Sequence, residues 1–231
     1  MKKKNSTAQR KKVKFDNKYL KDPKIKKVYL TFKKQLYSQI KNEKFCIGVS
    51  GGPDSLALAF LGKIFSKKFN SKFIALIIDH NLRKQSGIEA RKVKKILTKH
   101  KIRTKILTWK GKIPKSNIQF NARNIRYFLL NKECNKLNIK NLVLAHHEGD
   151  LIENFFIRLF RGSGLKGLSS LNIKRHSEDN ILNLIRPLIN TKKNELIYIS
   201  KKVFKFYLTD LSNFKEKFLR RSEERRVGKE C

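Results

Sequence analysis

Apolar residues stand four apart at Val28, Phe32, Leu36 and Ile40, which predicts an amphipathic helix over 28–40. The period then changes. Residues 45–49 form an unbroken apolar run closed by Ser50 and Gly51, the mark of a buried strand. A helix over 56–65 follows, then a second buried strand over 73–78 that ends at Asp79. The same alternation continues with a helix over 88–99, a strand over 104–109, a helix over 120–137, a strand over 142–145 and a helix over 151–160. Strands without polar alternation, separated by helices, predict an α/β fold: a parallel sheet with helices on both faces, Rossmann-like. Beyond Gly167 the pattern weakens to an apolar stretch around Arg186-Pro187, a helix over 193–202 and a last strand over 204–208. No internal repeat is visible.

In such sheets ligands bind beyond the carboxyl ends of the strands. Three polar clusters fall there: Ser50-Gly51-Gly52-Pro53-Asp54-Ser55, Asp79-His80-Asn81-Leu82-Arg83, and His146-His147-Glu148-Gly149-Asp150. In the first, Gly51 and Gly52 let the backbone turn sharply and approach phosphate oxygens with no Cβ in the way. Helix-start amides then face the anion, with Ser50 and Ser55 as added hydroxyl donors. The loop lacks the Lys-Ser/Thr ending of the common P-loop, so a different bond of ATP is expected to break. The plainer reading is a Gly-Gly turn ahead of an Asp cap. Asp79 to Arg83 is either a turn with a solvated Arg or a contact with adenine or ribose. His146, His147, Asp150 and Glu153 have metal-ligand character. Zinc wants more His or Cys, whereas Mg2+ bridging ATP phosphates through Asp150 and Asp54 fits better. Asp150 as a helix cap is the alternative. Arg123 and Arg126 share a helical face, for which a charged solvent surface is the ordinary explanation. Arg161-Gly162-Ser163-Gly164 is either a glycine-rich helix stop or a substrate loop.

With its Ser50–Ser55 loop the chain resembles the PP-loop (N-type) ATP pyrophosphatases, which carry SGGxDS and split ATP between the α and β phosphates. A narrower resemblance, over about 45–220, is to the tRNA(Ile)-lysidine synthases. It is carried by Asp79-His80-Asn81-Leu82-Arg83 with Glu89, by Asn117-Ile118-Gln119 with Arg123, Arg126 and Tyr127, and by Ala145-His146-His147 with Asp150 and Glu153. Arg158, Arg161-Gly162-Ser163-Gly164 and Arg186-Pro187-Leu188 complete it. The resemblance implies an adenine nucleotide alpha hydrolase-like fold. It also implies ligation of L-lysine to the wobble cytidine of the CAU anticodon of tRNA(Ile), through an adenylated cytidine, with ATP and Mg2+. Carried over by position, Asp54, Asp150 and Arg123 become catalytic candidates, with Asp54 and Asp150 also holding Mg2+. Ser50, Gly51, Gly52, Pro53, Asp54, Ser55, Asp79 and His80 become ATP-binding candidates. Arg83, Asn117, Gln119, Arg126, His147, Glu153 and Arg161 become candidates for the RNA and lysine. The chain departs from the pattern at Gly149, where the family has an acid, and at Lys215, where an acid is common.

Composition adds a partner. Fifty-six Lys and Arg against 18 Asp and Glu leave a net charge of +38, the footprint of a polyanion binder, with RNA or DNA first among polyanions. AT-rich coding sequence also produces Lys, Asn, Ile and Phe in abundance. Cys46, Cys134 and Cys231 form no CxxC, which fits a reducing cytoplasm. No apolar run is long enough for a bilayer, and no apolar segment follows the basic start as in a secretory signal. The expected organisation is a basic arm over 1–28, a PP-loop ATP pyrophosphatase domain with a helical C-terminal part over 29–220, and a foreign tail over 221–231. That tail resembles translated sequencing adapter, so the natural chain is expected to continue past Arg220 into a tRNA-binding region. The competing expectations are another PP-loop activity, tRNA thiolation or small-molecule amidation, and a non-catalytic basic RNA-binding module, which Gly149 favours most.

Overall fold

The computed structural model describes residues 18–82, 85–112, 116–160, 174–176 and 182–208. Helix α1 (Pro23–Ile40) begins ahead of the four-residue spacing, inside the stretch expected to be a basic arm. The cause is local. Asp22 caps it by accepting from the Lys24 and Ile25 amides at 2.9 and 3.2 Å, and Pro23 presets the first helical turn. Ile25 is fully buried, so the apolar stripe extends one turn further than Val28.

The alternation that follows is β1 (Phe45–Val49), α2 (Pro53–Phe69), β2 (Phe73–Asp79), α3 (Ser86–Lys99), β3 (Thr104–Thr108), α4 (Ile118–Lys136), β4 (Asn141–Val143) and α5 (Glu148–Phe160). It closes with β5 (Lys174–His176), β6 (Asn183–Ile185) and α6 (Lys193–Phe204). The sheet order is β3-β2-β1-β4-β6-β5. All neighbours pair parallel except β5 with β6, so the expected parallel sheet carries one antiparallel edge strand. That edge was not legible in the sequence, because Lys174-Arg175-His176 has no apolar residue to mark it.

The two sheet faces are covered unequally. One core joins α1, α2, α3 and α6 to Ile47, Val49, Ala75, Ile77, Val143 and Ile185. The other packs α4 residues Leu130 and Cys134 on Cys46, Leu76, Leu142 and Leu184. Helix α2 is buried from Ser55 to Phe65, apolar almost all round, as a central helix must be. Gly62 makes that approach possible: a Cβ there would lie 2.5 Å from Ile47 Cδ1.

The strand expected over 204–208 does not form. Helix α6 runs to Phe204 and stops at Lys205, which adopts a left-handed φ of 53°. The sheet position beside β6 is already taken by β5. Phe206, Tyr207 and Leu208 pack against the first core instead, and the Leu208 amide donates to Gly51 O at 2.9 Å. Among the described residues no helix is long and apolar enough to cross a membrane.

Asp22 also ties α1 to α6. Its Oδ2 accepts from Tyr198 Oη at 2.7 Å and pairs with the Lys202 ammonium. These donors hold the Asp22 carboxyl well below its usual range. A depressed carboxylate stabilises the fold above its unfolded pKa of about 3.9, and that stability drains away as the pH falls below it. Asp22→Ala is expected to lower Tm by about 2–4 °C at neutral pH, mainly through the lost cap. The deficit relative to wild type should shrink in thermal melts taken below about pH 3.

Candidate active site

Strands β1, β2 and β3 run outward to one side, and the chain then returns to place β4 on the other side of β1. The loops leaving β1 and β4 therefore diverge, and a crevice opens between them at the carboxyl edge. The glycine loop and the histidine pair both stand at this crevice. Gly51 turns the chain out of β1 with φ 90°, a conformation that side chains disfavour. It is also walled in: a Cβ would lie 2.6 Å from Val93 Cγ2 and 2.7 Å from Leu208 Cδ1.

Ser55 holds the turn from inside. Its Oγ accepts from the Ser50 and Gly51 amides at 3.2 and 3.1 Å and donates to Gly52 O at 3.0 Å. Ser55 is 5% exposed, so it braces the loop rather than presenting a hydroxyl to solvent. Ser50 remains exposed at the rim. Ser200 of α6 adds a second brace by donating to Pro53 O at 2.6 Å. Gly52 is the N-cap of α2 and makes no side-chain cap, so the first-turn amides are left for an anion.

His147 links the two loops. It is 5% exposed, with Nε2 3.7 Å from Asp54 Oδ2 and Nδ1 3.8 Å from Asp150 Oδ2. The Gly149 amide donates to Nδ1 at 3.0 Å, so in the neutral ring the proton sits on Nε2, facing Asp54. Gly149 is where the family acid was expected. A Cβ at that position would come within 2.8 Å of His147 Cε1, so its absence leaves space for the ring. Asp150 reaches back to accept the His147 amide at 2.8 Å, completing the first turn of α5. Asp150 is thus not the N-cap but the third residue of the helix, its Oδ2 taking the amide of the cap residue His147, while the carboxylate still borders the crevice.

Burial pushes the Asp54 carboxyl up, against the pull of His147 and Lys193. Asp54 Oδ1 is buried and makes no hydrogen bond. An orphaned carboxylate oxygen beside a second carboxylate suits a hard cation such as Mg2+, which takes one or two carboxylates and completes its shell with phosphate oxygens and water. Among the described residues no three His, Cys, Asp or Glu side chains converge as a metal centre of protein ligands alone would require.

A second group lies beside the first. His80 follows β2 and His146 follows β4, and each has a buried Nδ1 without a hydrogen-bond partner. Burial lowers both to about 4, helped by Arg126 at His80 and by Arg186, Arg123 and Arg126 at His146. Two neutral imidazoles thus share the crevice with three guanidinium groups. Arg123 also lies over the Tyr127 ring at 5.5 Å. Asn117 is the left-handed N-cap of α4, φ 47°, with Gln119 in the next turn. Glu153 is exposed one turn beyond Asp150. Asp79 is 7% exposed and accepts from the Asn81 amide at 3.0 Å and Ser86 Oγ at 2.7 Å, so it shapes the β2–α3 turn. Arg83 and Arg161 lie outside the described residues.

The structure therefore brings Asp54, His147 and Asp150 together, with His80, Arg123 and Arg126 nearby. It also adds Arg186 and Lys193, which were given no role from the sequence, and sets His146, read there as a metal-ligand candidate, beside arginines instead. Arg186 stands just past the end of β6, as His146 does past β4. The carboxyl-edge rule that singled out the histidines covers Arg186 equally.

Gly51→Ala is expected to weaken ATP binding at least tenfold by isothermal titration, because the new methyl must displace Val93 or Leu208. The histidines carry a pH signature. In the unfolded chain they take up protons near pH 6.5, but in the fold only near 4, so stability is full above about 6.5 and falls as the pH drops toward 4. Urea titrations should show that slope in wild type and a shallower one in a His80→Gln/His146→Gln variant.

The PP-loop domain family matches residues 25–230. Among curated proteins, the tRNA(Ile)-lysidine synthase of Orientia tsutsugamushi is 43% identical over 181 residues, covering 78% of this chain and 40% of that protein. The protein of the same name from Rickettsia bellii is 40% identical over 188 residues, covering 81% of this chain and 43% of that protein. The chain thus spans about 40% of the length of these relatives. Among solved structures, the U34-tRNA thiolase of Methanococcus maripaludis superposes with a TM-score of 0.69 at 22% identity, over 80% of this chain and 66% of that one. At that identity the likeness speaks for the fold alone. With the family match spanning most of its length, and with the glycine turn and the carboxylate-flanked histidine set at the switch point of the sheet, the chain belongs to the PP-loop domain family.

Proposed function

We propose that the chain is the catalytic part of a tRNA(Ile)-lysidine synthase, which uses ATP and Mg2+ to join L-lysine to the wobble cytidine of a CAU anticodon. The observation that carries this reading is His147 held between Asp54 and Asp150 beside the glycine turn, in a chain whose relatives of that name are 38–43% identical. In the first half-reaction the cytidine O2 attacks the α-phosphorus of ATP, the bond to the β-phosphate breaks, and pyrophosphate leaves. In the second the neutral amine of lysine attacks C2, AMP departs with the former O2, and one proton is released. The adenylate turns a poor leaving oxygen into a good one.

The chain's own groups divide this work. Amides at the start of α2 meet the phosphates, and the Gly51 turn fixes where those amides point. Asp54 and Asp150 would hold Mg2+, which screens the phosphate charge when bound. The Nε2–H of His147 faces Asp54 Oδ2 at 3.7 Å, and the buried Asp54 Oδ1 is left without a hydrogen bond for a cation to take up. Arg123 and Arg126 supply guanidinium forks for phosphate or the extruded base. Burial, helped by these charges, keeps His146 and His80 neutral, which suits them to face adenine or cytosine edges rather than to repel the arginines.

Thiolation is the reading most distant from these groups. Cys46 and Cys134 are both fully buried in the α4-side core, where the Cys46 thiol is driven strongly upward by Cys134 and by burial. A protonated, enclosed thiol is a poor nucleophile. Cys231 lies outside the described residues.

Labelled lysine should enter a CAU-anticodon tRNA only when ATP is present, with pyrophosphate and AMP released in equal amounts. Absence of ATP-dependent label would reject the reading. Asp54→Asn gives a sharper outcome. Because burial raises the Asp54 carboxyl, its ionised form costs stability at neutral pH, and removing the charge relieves that cost. The variant is expected to melt at or above the wild-type temperature while losing at least a hundredfold in pyrophosphate release.

A further inference from the structure

Helix α5 presents an apolar face outside both hydrophobic cores. Among the described residues, Leu151, Ile152, Phe155 and Phe156 are 37%, 48%, 39% and 48% exposed, and neither core includes them. Their spacing sets them along one side of the helix. The two rings meet edge to face, with centroids 5.7 Å apart at 79°, so they present surfaces in two directions. The helix starts at the candidate site, and its rise places Phe155 about 12 Å from His147 along the axis. Exposed Arg123 and Arg126 of α4 approach His146, two residues before α5 begins. The crevice is thus bordered by guanidinium groups on one helix, and the helix that starts at it carries exposed aromatic rings two turns on.

A chain of net charge +38 selects a polyanion, and exposed rings beside cations select one with open base faces. Unpaired bases stack on Phe rings whatever their identity, while a duplex keeps its base faces hidden and offers only phosphates. We propose that Phe155 and Phe156 form a stacking platform for the unpaired RNA bases that flank the nucleotide held in the crevice. This rests on the RNA-modifying reading above and names a surface that reading does not require.

The test compares three proteins: wild type, Phe155→Ala/Phe156→Ala, and Phe155→Leu/Phe156→Leu. Each is titrated with a stem-loop RNA bearing CAU in its loop and with a fully paired RNA of the same length. Wild type should prefer the stem-loop. Both variants should lose about fivefold to a hundredfold in stem-loop affinity, the range of one stacked base, with duplex affinity unchanged. Leu variants that bind like wild type would overturn the proposal, since the face would then be aliphatic packing. A change of oligomeric state on light scattering in either variant would overturn it in favour of a second copy on this face. Unchanged melting temperatures guard against a folding defect. Wild type without stem-loop preference would sink the RNA-modifying reading itself, whereas wild-type preference with unaffected variants sinks only the platform.

Discussion

The chain leaves β1 through one residue in a conformation that only glycine adopts readily, and the site is built on that exit. Gly51 sits between Val93 of α3 and Leu208 of the last described segment, with its carbonyl taken by the Leu208 amide. Ser55 closes the turn from the helix side and Ser200 of α6 pins Pro53 by donating to its carbonyl. Three elements distant in sequence therefore converge on one turn. The result is a turn braced before any ligand arrives, with the amides at the start of α2 left uncapped, the preorganisation that phosphate chemistry depends on.

Around that cradle, charge is sorted by burial. The carboxylates of Asp54 and Asp150 sit on either side of an imidazole that faces one of them with its Nε2–H. A step away, His80 and His146 are kept uncharged by desolvation and by neighbouring arginines. A low-dielectric crevice makes each of these interactions stronger than it would be in water, and makes an unpaired polar atom costly. Asp54 Oδ1 and the two Nδ1 atoms are buried there without a hydrogen-bond partner. The Lys105–Glu133 pair, by contrast, meets at 2.7 Å and clamps β3 to α4.

The departure at Gly149 follows the same logic. Its amide sets the tautomer of His147, and its missing side chain leaves room for the ring. The carboxylates that remain at the crevice are Asp54 and Asp150, each on a separate loop. The fold shared with a tRNA thiolase at 22% identity leaves the chemistry to what stands at the strand ends, not to the sheet itself.

Much of the architecture was written in local pattern. Apolar runs marked β1, β2 and β4 and the helices between them, because a parallel strand buried on both faces has no polar alternation to confuse the reading, whereas the edge strand β3 keeps Lys105 and two threonines. The glycine pair, the Asp54–Ser55 helix start and the strand-end clusters were legible for the same reason: each is a local demand of backbone geometry. Local pattern did not reveal β5, whose three polar residues gain strand geometry only by pairing with β6, nor the fate of 204–208, whose apolar residues found no free sheet edge. Nor did it reveal that Ser55 and Asp79 accept hydrogen bonds from neighbouring amides and so brace their turns. Which imidazole faces carboxylates and which faces arginines is decided by the return of β4 across β1. Only folding brings residues a hundred positions apart within reach of one another, and the sign and strength of an electrostatic contact depend on that distance.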